Sequence, residues 1–182
     1  IYMPRVNGLL LVGVLLLGWY LGARFVWFNL HTVVPGQVYR SAQPSQAFLE
    51  KMVRADGIRC ILKLNSAKES TWSHEEAAEA ERLGVKVIPL TMAVTRLPRP
   101  AELIALIDAI GSAPRPLLIH CKFGADRTGV ASTLVVMHDG ASFDQATAAQ
   151  LNWKYWHLGH WGPAVEDVFE RYRQFRDRAG LP

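Results

Sequence analysis

A short apolar segment of this chain ends at Cys121, and a second one begins just beyond Arg127. The first segment, Leu117 to Ile119, is branched and follows two prolines, which is typical of a buried strand. The second, Thr128 to Met137, is apolar enough for a buried helix, and Gly140 would stop that helix. Five residues separate the cysteine from the arginine, so the sequence predicts a tight loop between a strand and a helix.

Such a loop would suit a phosphate group. Its successive backbone N–H groups and the positive end of the following helix would point at one place. Donors that hold a phosphate dianion also stabilise a thiolate, which makes Cys121 a candidate nucleophile. Arg127 adds a planar guanidinium that can hold two phosphate oxygens at once. Gly124 lets the backbone approach closely, and Thr128 would donate its hydroxyl to the departing thiolate.

The segment His-Cys-x-x-Gly-x-x-Arg-Thr-Gly, which starts at His120, resembles the signature of the cysteine-dependent protein tyrosine and dual-specificity phosphatases. The resemblance implies that Cys121 attacks phosphorus, that Arg127 binds the phosphoryl group, and that His120 supports the cysteine and the shape of the loop. It also implies a phosphocysteine intermediate and no metal or other cofactor. The residues expected to surround the phosphate are Lys122, Phe123, Gly124, Ala125, Asp126 and Arg127.

A second string, Tyr-Arg-Ser-x-Gln-Pro, runs from Tyr39 to Pro44. It resembles the start of bacterial dual-specificity-like phosphatase domains. Within this string, Arg40 is expected either to contact the active-site loop or to form an ion pair on the surface, and the sequence leaves both open. We therefore expect a dual-specificity-like phosphatase domain over residues 29–182.

The proton donor for the leaving oxygen is not evident from the sequence. In the family that the chain resembles, an aspartate on a mobile loop upstream of the cysteine usually donates this proton. The corresponding segment here, Leu90 to Pro100, contains no Asp or Glu. Asp126 is the first candidate, because some lipid phosphatases and bacterial phosphatases of that kind carry an aspartate there, and a structural hydrogen bond is the alternative. Further carboxylates, which we expect to be solvated charges, are Glu69, Glu75 and Glu76.

The elements that must position this loop alternate between strands and helices. Branched and apolar runs predict strands at residues 38–40, 58–64, 85–90 and 117–119. Helices are predicted at residues 44–53, 73–83, 100–110, 128–137, 142–155 and 163–178. The alternation predicts an α/β fold with a central, mostly parallel sheet of four to five strands, flanked by helices. The cysteine would lie at the carboxyl end of a central strand, where such sheets bind ligands.

The first part of the chain predicts a transmembrane helix. The run from Val6 to Ala23 is uncharged and largely apolar, and its length reaches the lower limit for a membrane-spanning helix. We expect residues 1–28 to be a membrane anchor or an uncleaved signal, with a cleavable signal peptide as the rival interpretation. The short basic start before this run favours a single-pass protein whose catalytic domain lies on the periplasmic side.

Charge and composition narrow the class of partner. The 182 residues include 20 basic and 16 acidic side chains, a net charge of +4. This mild excess suits an anionic substrate or a membrane surface better than a nucleic acid. Cys60 and Cys121 are the two cysteines, too few for a disulfide framework. His157 and His160 lie in a tryptophan-rich stretch without a carboxylate or cysteine at ligand spacing, so no metal site is predicted.

Together with the family resemblance, these observations predict an enzyme that hydrolyses phosphomonoesters of proteins. Its substrates would be phosphotyrosine alone, or phosphotyrosine, phosphoserine and phosphothreonine. In the family that the chain resembles, phosphoinositide phosphatases carry a lysine directly after the cysteine, as Lys122 does here. A phospholipid is therefore an alternative substrate. The absence of a carboxylate from the upstream loop also leaves open a pseudophosphatase that binds phospho-ligands without turnover. A sulfur carrier of the rhodanese type is a third possibility, which the Arg-Thr-Gly sequence fits less well.

Overall fold

The chain forms one five-stranded sheet with helices around it. The computed structural model describes residues 8–26, 28–65, 71–93, 96, 98–157, 159 and 164–179. The strands are β1 (His31–Val34), β2 (Val38–Ala42), β3 (Cys60–Lys63), β4 (Lys86–Pro89) and β5 (Leu117–Cys121). The helices are α1 (Gly8–Val26), α2 (Gln46–Asp56), α3 (Thr71–Arg82), α4 (Pro100–Ser112), α5 (Asp126–His138), α6 (Phe143–Gln150) and α7 (Ala164–Ala179), with a 3₁₀ turn at Trp153–Tyr155.

Strand β5 lies in the middle of the sheet, whose strand order is β1-β2-β5-β3-β4. β2, β5, β3 and β4 are parallel to their neighbours, whereas β1 pairs with β2 in the antiparallel sense. The register places Cys121 beside Ala42 of β2, and His120 beside Lys63 of β3. The carboxyl ends of three strands therefore meet next to the cysteine.

Helices cover both faces of β5, which is buried along its whole length. Because successive strand residues point to opposite faces, Leu117 and Ile119 share a hydrophobic cluster with residues of α4 and α5. Leu118 belongs to a second cluster, on the other face, with residues of α2 and α3. A strand buried on both faces needs a continuous apolar run. This explains why the first three residues of β5, Leu117 to Ile119, are all aliphatic.

The predicted transmembrane helix is wrong. Helix α1 forms over the predicted apolar run, but no helix in the described part of the chain is both long enough and apolar enough to span a bilayer. Arg24 interrupts the apolar sequence of this helix, and a charged side chain is costly in the hydrocarbon core of a bilayer. The domain boundary at residue 29 and the periplasmic location stay predictions.

The sheet has the predicted five-stranded, mostly parallel form, with one antiparallel strand at its edge. Strand β1 was not predicted, and it joins the sheet through a hairpin in which the N–H of Gln37 donates to the carbonyl of Val34 at 3.0 Å. Gly36 permits this tight turn with a φ of 68°. A hairpin connects neighbouring strands only in the antiparallel sense, so the added edge strand breaks the parallel pattern.

One predicted helix ends earlier than expected. Residues 142–155 were predicted as a single helix, but α6 ends at Gln150 and a short 3₁₀ turn follows. The side chain of Asn152 accepts a hydrogen bond from the N–H of Lys154 at 3.0 Å. Asparagine competes with the helix in this way by offering the backbone a local partner, and the chain is thereby turned back toward the loop after β5.

Candidate active site

The backbone from Cys121 to Arg127 forms a loop whose N–H groups point inward. The four carbonyls from Lys122 to Ala125 all accept hydrogen bonds from residues outside the loop. A trans peptide places its carbonyl and its N–H on opposite sides, so the N–H of each following residue faces the interior. The N–H of Gly124 lies 3.3 Å from Sγ of Cys121 and donates to it. The loop therefore concentrates N–H donors around the thiol sulfur.

Two side chains hold the outside of this loop. Arg40, which is fully buried, donates from Nη2 to the carbonyl oxygens of Gly124 at 2.9 Å and Ala125 at 3.2 Å. Asn29 donates from Nδ2 to the carbonyl oxygens of Phe123 at 3.1 Å and Gly124 at 3.2 Å. Arg40 therefore contacts the active-site loop and does not form an ion pair on the surface. Asn29 was not singled out from the sequence, because nothing local distinguishes it from a solvated asparagine.

Arg40 is itself fixed by the chain beyond α6. Its Nη1 donates to the backbone oxygen of Gln150 at 2.7 Å and to the side-chain Oε1 at 3.0 Å. Its guanidinium lies 4.0 Å from the ring centroid of Tyr155, a cation–π contact. Burial lowers the pKa of Arg40 to about 10, although the nearby Tyr155 and Cys121 favour its charged form. Arg40 therefore remains a cation at neutral pH and places positive charge behind the loop.

Two glycines allow the loop and α5 to approach β2. Gly124 has a φ of +69°, and a Cβ at this position would lie 2.6 Å from backbone atoms of Ser41 and Ala42. A Cβ on Gly129, in the first turns of α5, would lie 2.6 Å from the side chain of Leu151. A larger residue at Gly124 would displace the loop, so this glycine is needed for packing as well as for backbone conformation. At Gly129 the side chain of Leu151 would have to move, and the backbone oxygen of Gln150 at 3.3 Å leaves little room.

Cys121 and Arg127 come from different elements and meet at this loop. Cys121 ends β5 and is 2% exposed, and Arg127 lies in the first turn of α5 and is 9% exposed. Nη1 of Arg127 donates to the carbonyl oxygens of Leu64 and Met92, both at 3.4 Å. These carbonyls follow β3 and β4, so the ends of two further strands orient the guanidinium.

Thr128 is fully buried beside these residues. Its Oγ1 has no hydrogen-bond partner among the residues that the structure describes. A buried hydroxyl without a partner costs free energy, so an acceptor brought into the loop would be bound favourably. This placement is compatible with the expected role of Thr128 as a donor to a thiolate.

Asp126 begins α5, and its carboxylate has a partner that the sequence did not predict. Nδ1 of His157 donates to Oδ1 of Asp126 at 2.8 Å. The Asp126 side chain is 27% exposed and that of His157 is 11% exposed. A carboxylate at a helix amino terminus is also favoured by the helix dipole. The sequence suggested that His157 belongs to a tryptophan-rich cluster used for packing or membrane docking rather than a metal site, and it gave no sign of a contact with Asp126; His160 lies outside the described residues.

Glu76 is buried, so the expectation of a solvated charge is wrong for this residue. It is 3% exposed, and its Oε1 accepts from Nε2 of His120 at 2.7 Å. Its Oε2 accepts from Nζ of Lys63 at 2.9 Å. Burial alone would raise the pKa of Glu76, but the hydrogen bonds and charges of His120 and Lys63 outweigh it and hold the pKa below the usual value. Neighbouring Glu75 is exposed as expected, and Glu69 lies outside the described residues.

The rim of the loop is exposed and partly basic. Lys122 is exposed, Phe123 is 63% exposed, and the Lys122 ammonium lies 5.3 Å from the Phe123 ring. Arg96 and Arg99 belong to the segment from Leu90 to Pro100, which contains no Asp or Glu, and both form ion pairs with Glu102. The Arg96 and Arg99 contacts hold the pKa of Glu102 far below its usual value. Glu102 therefore stays ionised at neutral pH and is a poor proton donor.

Comparison with known sequences supports a single family. A sequence model described as the tyrosine phosphatase family matches residues 28–148. This match starts next to Asn29 and includes the loop and α5, so it contains all of the predicted site residues. It confirms the family that the signature around Cys121 predicts. No curated protein matches the chain in sequence.

Solved structures share the fold. Tk-PTP in its active form is 20% identical over 84% of this chain and 99% of its own, with a TM-score of 0.60. A variant of P. aeruginosa TpbA in complex with pTyr is 18% identical over 78% of this chain and 88% of its own, with a TM-score of 0.60. PTPMT1 in complex with PI(5)P is 17% identical over 82% of this chain and 98% of its own, with a TM-score of 0.62. At these identities the similarity establishes the α/β architecture.

Proposed function

The chain belongs to the tyrosine phosphatase family, and from this we propose that it hydrolyses phosphomonoesters through a phosphocysteine on Cys121. The observation that carries the proposal is the loop of inward N–H groups around Sγ, with Arg127 at its far end. Four outward carbonyls are held by Asn29, Arg40 and Gln43, so the donors are in place before any ligand arrives. Preorganised donors of this kind stabilise the charge of a transferring phosphoryl group.

The proposed reaction has two steps. The Cys121 thiolate attacks phosphorus, a sulfur–phosphorus bond forms, and the bond from phosphorus to the leaving oxygen breaks while that oxygen takes up a proton from a general acid, for which Asp126 is the candidate. Water then attacks phosphorus and gives a proton back to that group, and the sulfur–phosphorus bond breaks to release inorganic phosphate and the thiolate. The loop N–H groups and Arg127 hold the three remaining phosphoryl oxygens through both steps. Thr128 donates its hydroxyl to the sulfur as it departs.

Phosphotyrosine in proteins is the substrate that we favour. The segment expected to carry an acid has no carboxylate, and a tyrosine phenol, with a pKa near 10, leaves with less help than a serine alcohol. The exposed ring of Phe123, on the rim of the loop, offers a surface for a phenyl ring. TpbA, which has the same fold, was solved with pTyr.

A phosphoinositide is the second candidate. Lys122 is exposed on the rim directly after the cysteine, and an ammonium there suits a substrate with several phosphates. PTPMT1, which has the same fold, was solved in complex with PI(5)P. The two candidates share the phosphomonoester and differ in what surrounds it.

A panel of substrates tests this proposal on the full chain in the presence of a chelator. We expect steady-state phosphate release from a phosphotyrosine peptide, at a kcat/KM at least about tenfold above that for a phosphoserine peptide. A higher kcat/KM on phosphoinositide vesicles would move the assignment to the lipid substrate. Binding of the phosphotyrosine peptide without any turnover would replace the proposal with a pseudophosphatase.

Substituting Asp126 tests whether it donates the proton to the leaving oxygen. If it does, Asp126→Asn lowers kcat with an alkyl phosphate by about 10²-fold or more, because an alkoxide leaves poorly without a proton. With p-nitrophenyl phosphate, whose leaving group is an acidic phenol, the same variant loses much less. The measurement is the ratio of the two kcat values in the wild type and in the variant.

His157→Asn is the matched control for this substitution. The Nδ2 of asparagine lies where Nδ1 of histidine does, so its amide can still donate to Oδ1 of Asp126 and preserve the contact seen at 2.8 Å, while the imidazole is removed. We expect this variant to keep most of the kcat on both substrates. Equal losses on both substrates in Asp126→Asn would show that Asp126 only shapes the loop.

A further inference from the structure

We propose that Glu76 is a positioning residue for Cys121, which it holds from behind through His120 and Gln43. The inference rests on the proposed function, because it concerns how the same cysteine is kept in place. Glu76 lies on α3, 44 residues before His120, and contacts neither the loop interior nor Sγ in any hydrogen bond that the described residues make. Its effect on the reaction would therefore be indirect.

Helix α3 faces the side of β5 that is opposite to the cysteine side chain. Adjacent strand residues point to opposite faces, so His120 and Leu118 share one face and Cys121 takes the other. Leu118 packs in a hydrophobic cluster with Ala80 of α3. Glu76 lies one helical turn before Ala80 on the same face, which places its carboxylate against His120.

The carboxylate determines which nitrogen of His120 carries a proton. An ionised carboxylate only accepts hydrogen bonds, so Nε2 of His120 donates to Oε1 of Glu76 across 2.7 Å. Nδ1 of His120 is buried and has no hydrogen-bond partner among the described residues. A proton on Nδ1 would be a buried donor without an acceptor, which is rarer and costlier than a free acceptor. Glu76 thus keeps His120 in one tautomer and one orientation.

The second carboxylate oxygen reaches the other neighbour of the cysteine. Oε2 of Glu76 accepts from Nε2 of Gln43 at 3.3 Å as well as from Lys63. The backbone N–H of Gln43 donates to the carbonyl of Lys122 at 3.4 Å. One buried carboxylate is therefore linked to the side chain before Cys121 and to the carbonyl after it.

A purely stabilising role would not account for this arrangement. The side chains of Lys63 and Glu76 are 7% and 2% exposed, and desolvation cancels most of the attraction in such a buried ion pair. Apolar residues of similar volume would often stabilise a fold as well. A buried carboxylate differs from an apolar side chain because it orients its neighbours, since each of its oxygens accepts hydrogen bonds from defined donors.

Glu76→Gln tests the proposal with almost no change of shape. Lys63 only donates hydrogen bonds, so the new amide must turn its oxygen toward Lys63 and its NH₂ toward His120. Nε2 of His120 must then accept, and the proton moves to Nδ1. We expect kcat for p-nitrophenyl phosphate to fall about 10-fold to 10²-fold, as for a small misplacement of a reacting group. The inhibition constant of inorganic phosphate, which reports the loop N–H groups and Arg127, should change less than about threefold.

Glu75→Gln is the matched control, because it makes the same change on the same helix at an exposed position. It should leave kcat unchanged. Nitrogen-15 NMR of His120 gives an independent readout, with the proton on Nε2 in the wild type and on Nδ1 in Glu76→Gln. An unchanged tautomer, or a wild-type kcat in Glu76→Gln, would overturn the inference.

A double variant covers the case in which Glu76→Gln does not fold. Lys63→Met combined with Glu76→Gln leaves no unpaired charge in the interior, and the amide oxygen is free to turn to His120. We expect Nε2 of His120 to regain its proton and kcat to recover at least about tenfold over the folded single variant, or to lie within about tenfold of the wild type. Full loss of activity with the proton on Nε2 would overturn the inference. Cys121→Ser separates the two proposals, because activity in that variant would remove the proposed function itself.

Discussion

Cys121→Ser is expected to lower kcat for p-nitrophenyl phosphate by about 10⁴-fold or more. A serine hydroxyl in the same place is a far weaker nucleophile than a thiolate, and a phosphoserine would not release its phosphate as a phosphocysteine does. The N–H donors of the loop and Arg127 do not depend on the sulfur, so the variant should still bind a phosphotyrosine peptide. Phosphate release and calorimetric binding of the peptide measure the two effects separately.

Cys60 provides the matched control for this substitution. It is fully buried in β3, and burial raises the pKa of its thiol. A thiol that stays protonated in an apolar interior is inert, so Cys60→Ala should keep the wild-type kcat at a modest cost in stability. Activity that survives in Cys121→Ser would exclude a phosphocysteine on this residue and with it the proposed mechanism.

Arg127→Lys should lower kcat/KM by about 10²-fold to 10³-fold, the cost of removing one group that stabilises transition-state charge. The guanidinium is held at one nitrogen by the carbonyl oxygens of Leu64 and Met92. Its planar fork can keep that anchor while other N–H groups bind two phosphoryl oxygens. A lysine ammonium is a single point of charge and cannot do both, so we expect a loss in kcat as well as a higher KM.

Arg115→Lys is the corresponding control. Arg115 lies just before β5, at the opposite end of the strand from the cysteine, and forms an ion pair with Asp139 at 3.3 Å. The same change of side chain there should leave kcat and KM at wild-type values, because lysine can also pair with a surface carboxylate. A wild-type kcat/KM in Arg127→Lys would contradict the proposed clamp on the phosphoryl group.

Much of the fold followed from local patterns. β5 and α5 were predicted within a few residues of their observed bounds, because a branched run after proline and an apolar run before glycine are signals that neighbouring residues carry together. Strand β1 was not predicted because its four residues, which differ in exposure, show no alternation of apolar and polar side chains. The transmembrane prediction failed because the helix that forms does not stay apolar along its length, since it includes Arg24.

The sequence could not predict the partners of Asp126 or Glu76. Asp126 meets His157 across 31 residues, and Glu76 meets His120 across 44. Each pair depends on how a helix or a turn packs on the sheet, and a carboxylate on a helix is by itself far more often solvated. Burial of Glu76 was visible only once α3 was placed against the face of β5 that carries His120.

By itself, then, the sequence determined the loop from Cys121 to Arg127, because the spacing of Cys121, Gly124 and Arg127 places strand, turn and helix in one continuous segment. Only the tertiary structure decided what holds that loop from outside and from behind. Asn29 and Arg40 reach its carbonyls across 84 residues or more, and Glu76 reaches His120 from another helix. These contacts follow from the register of β2, β5 and β3 and from the packing of α3, which no local pattern of residues encodes.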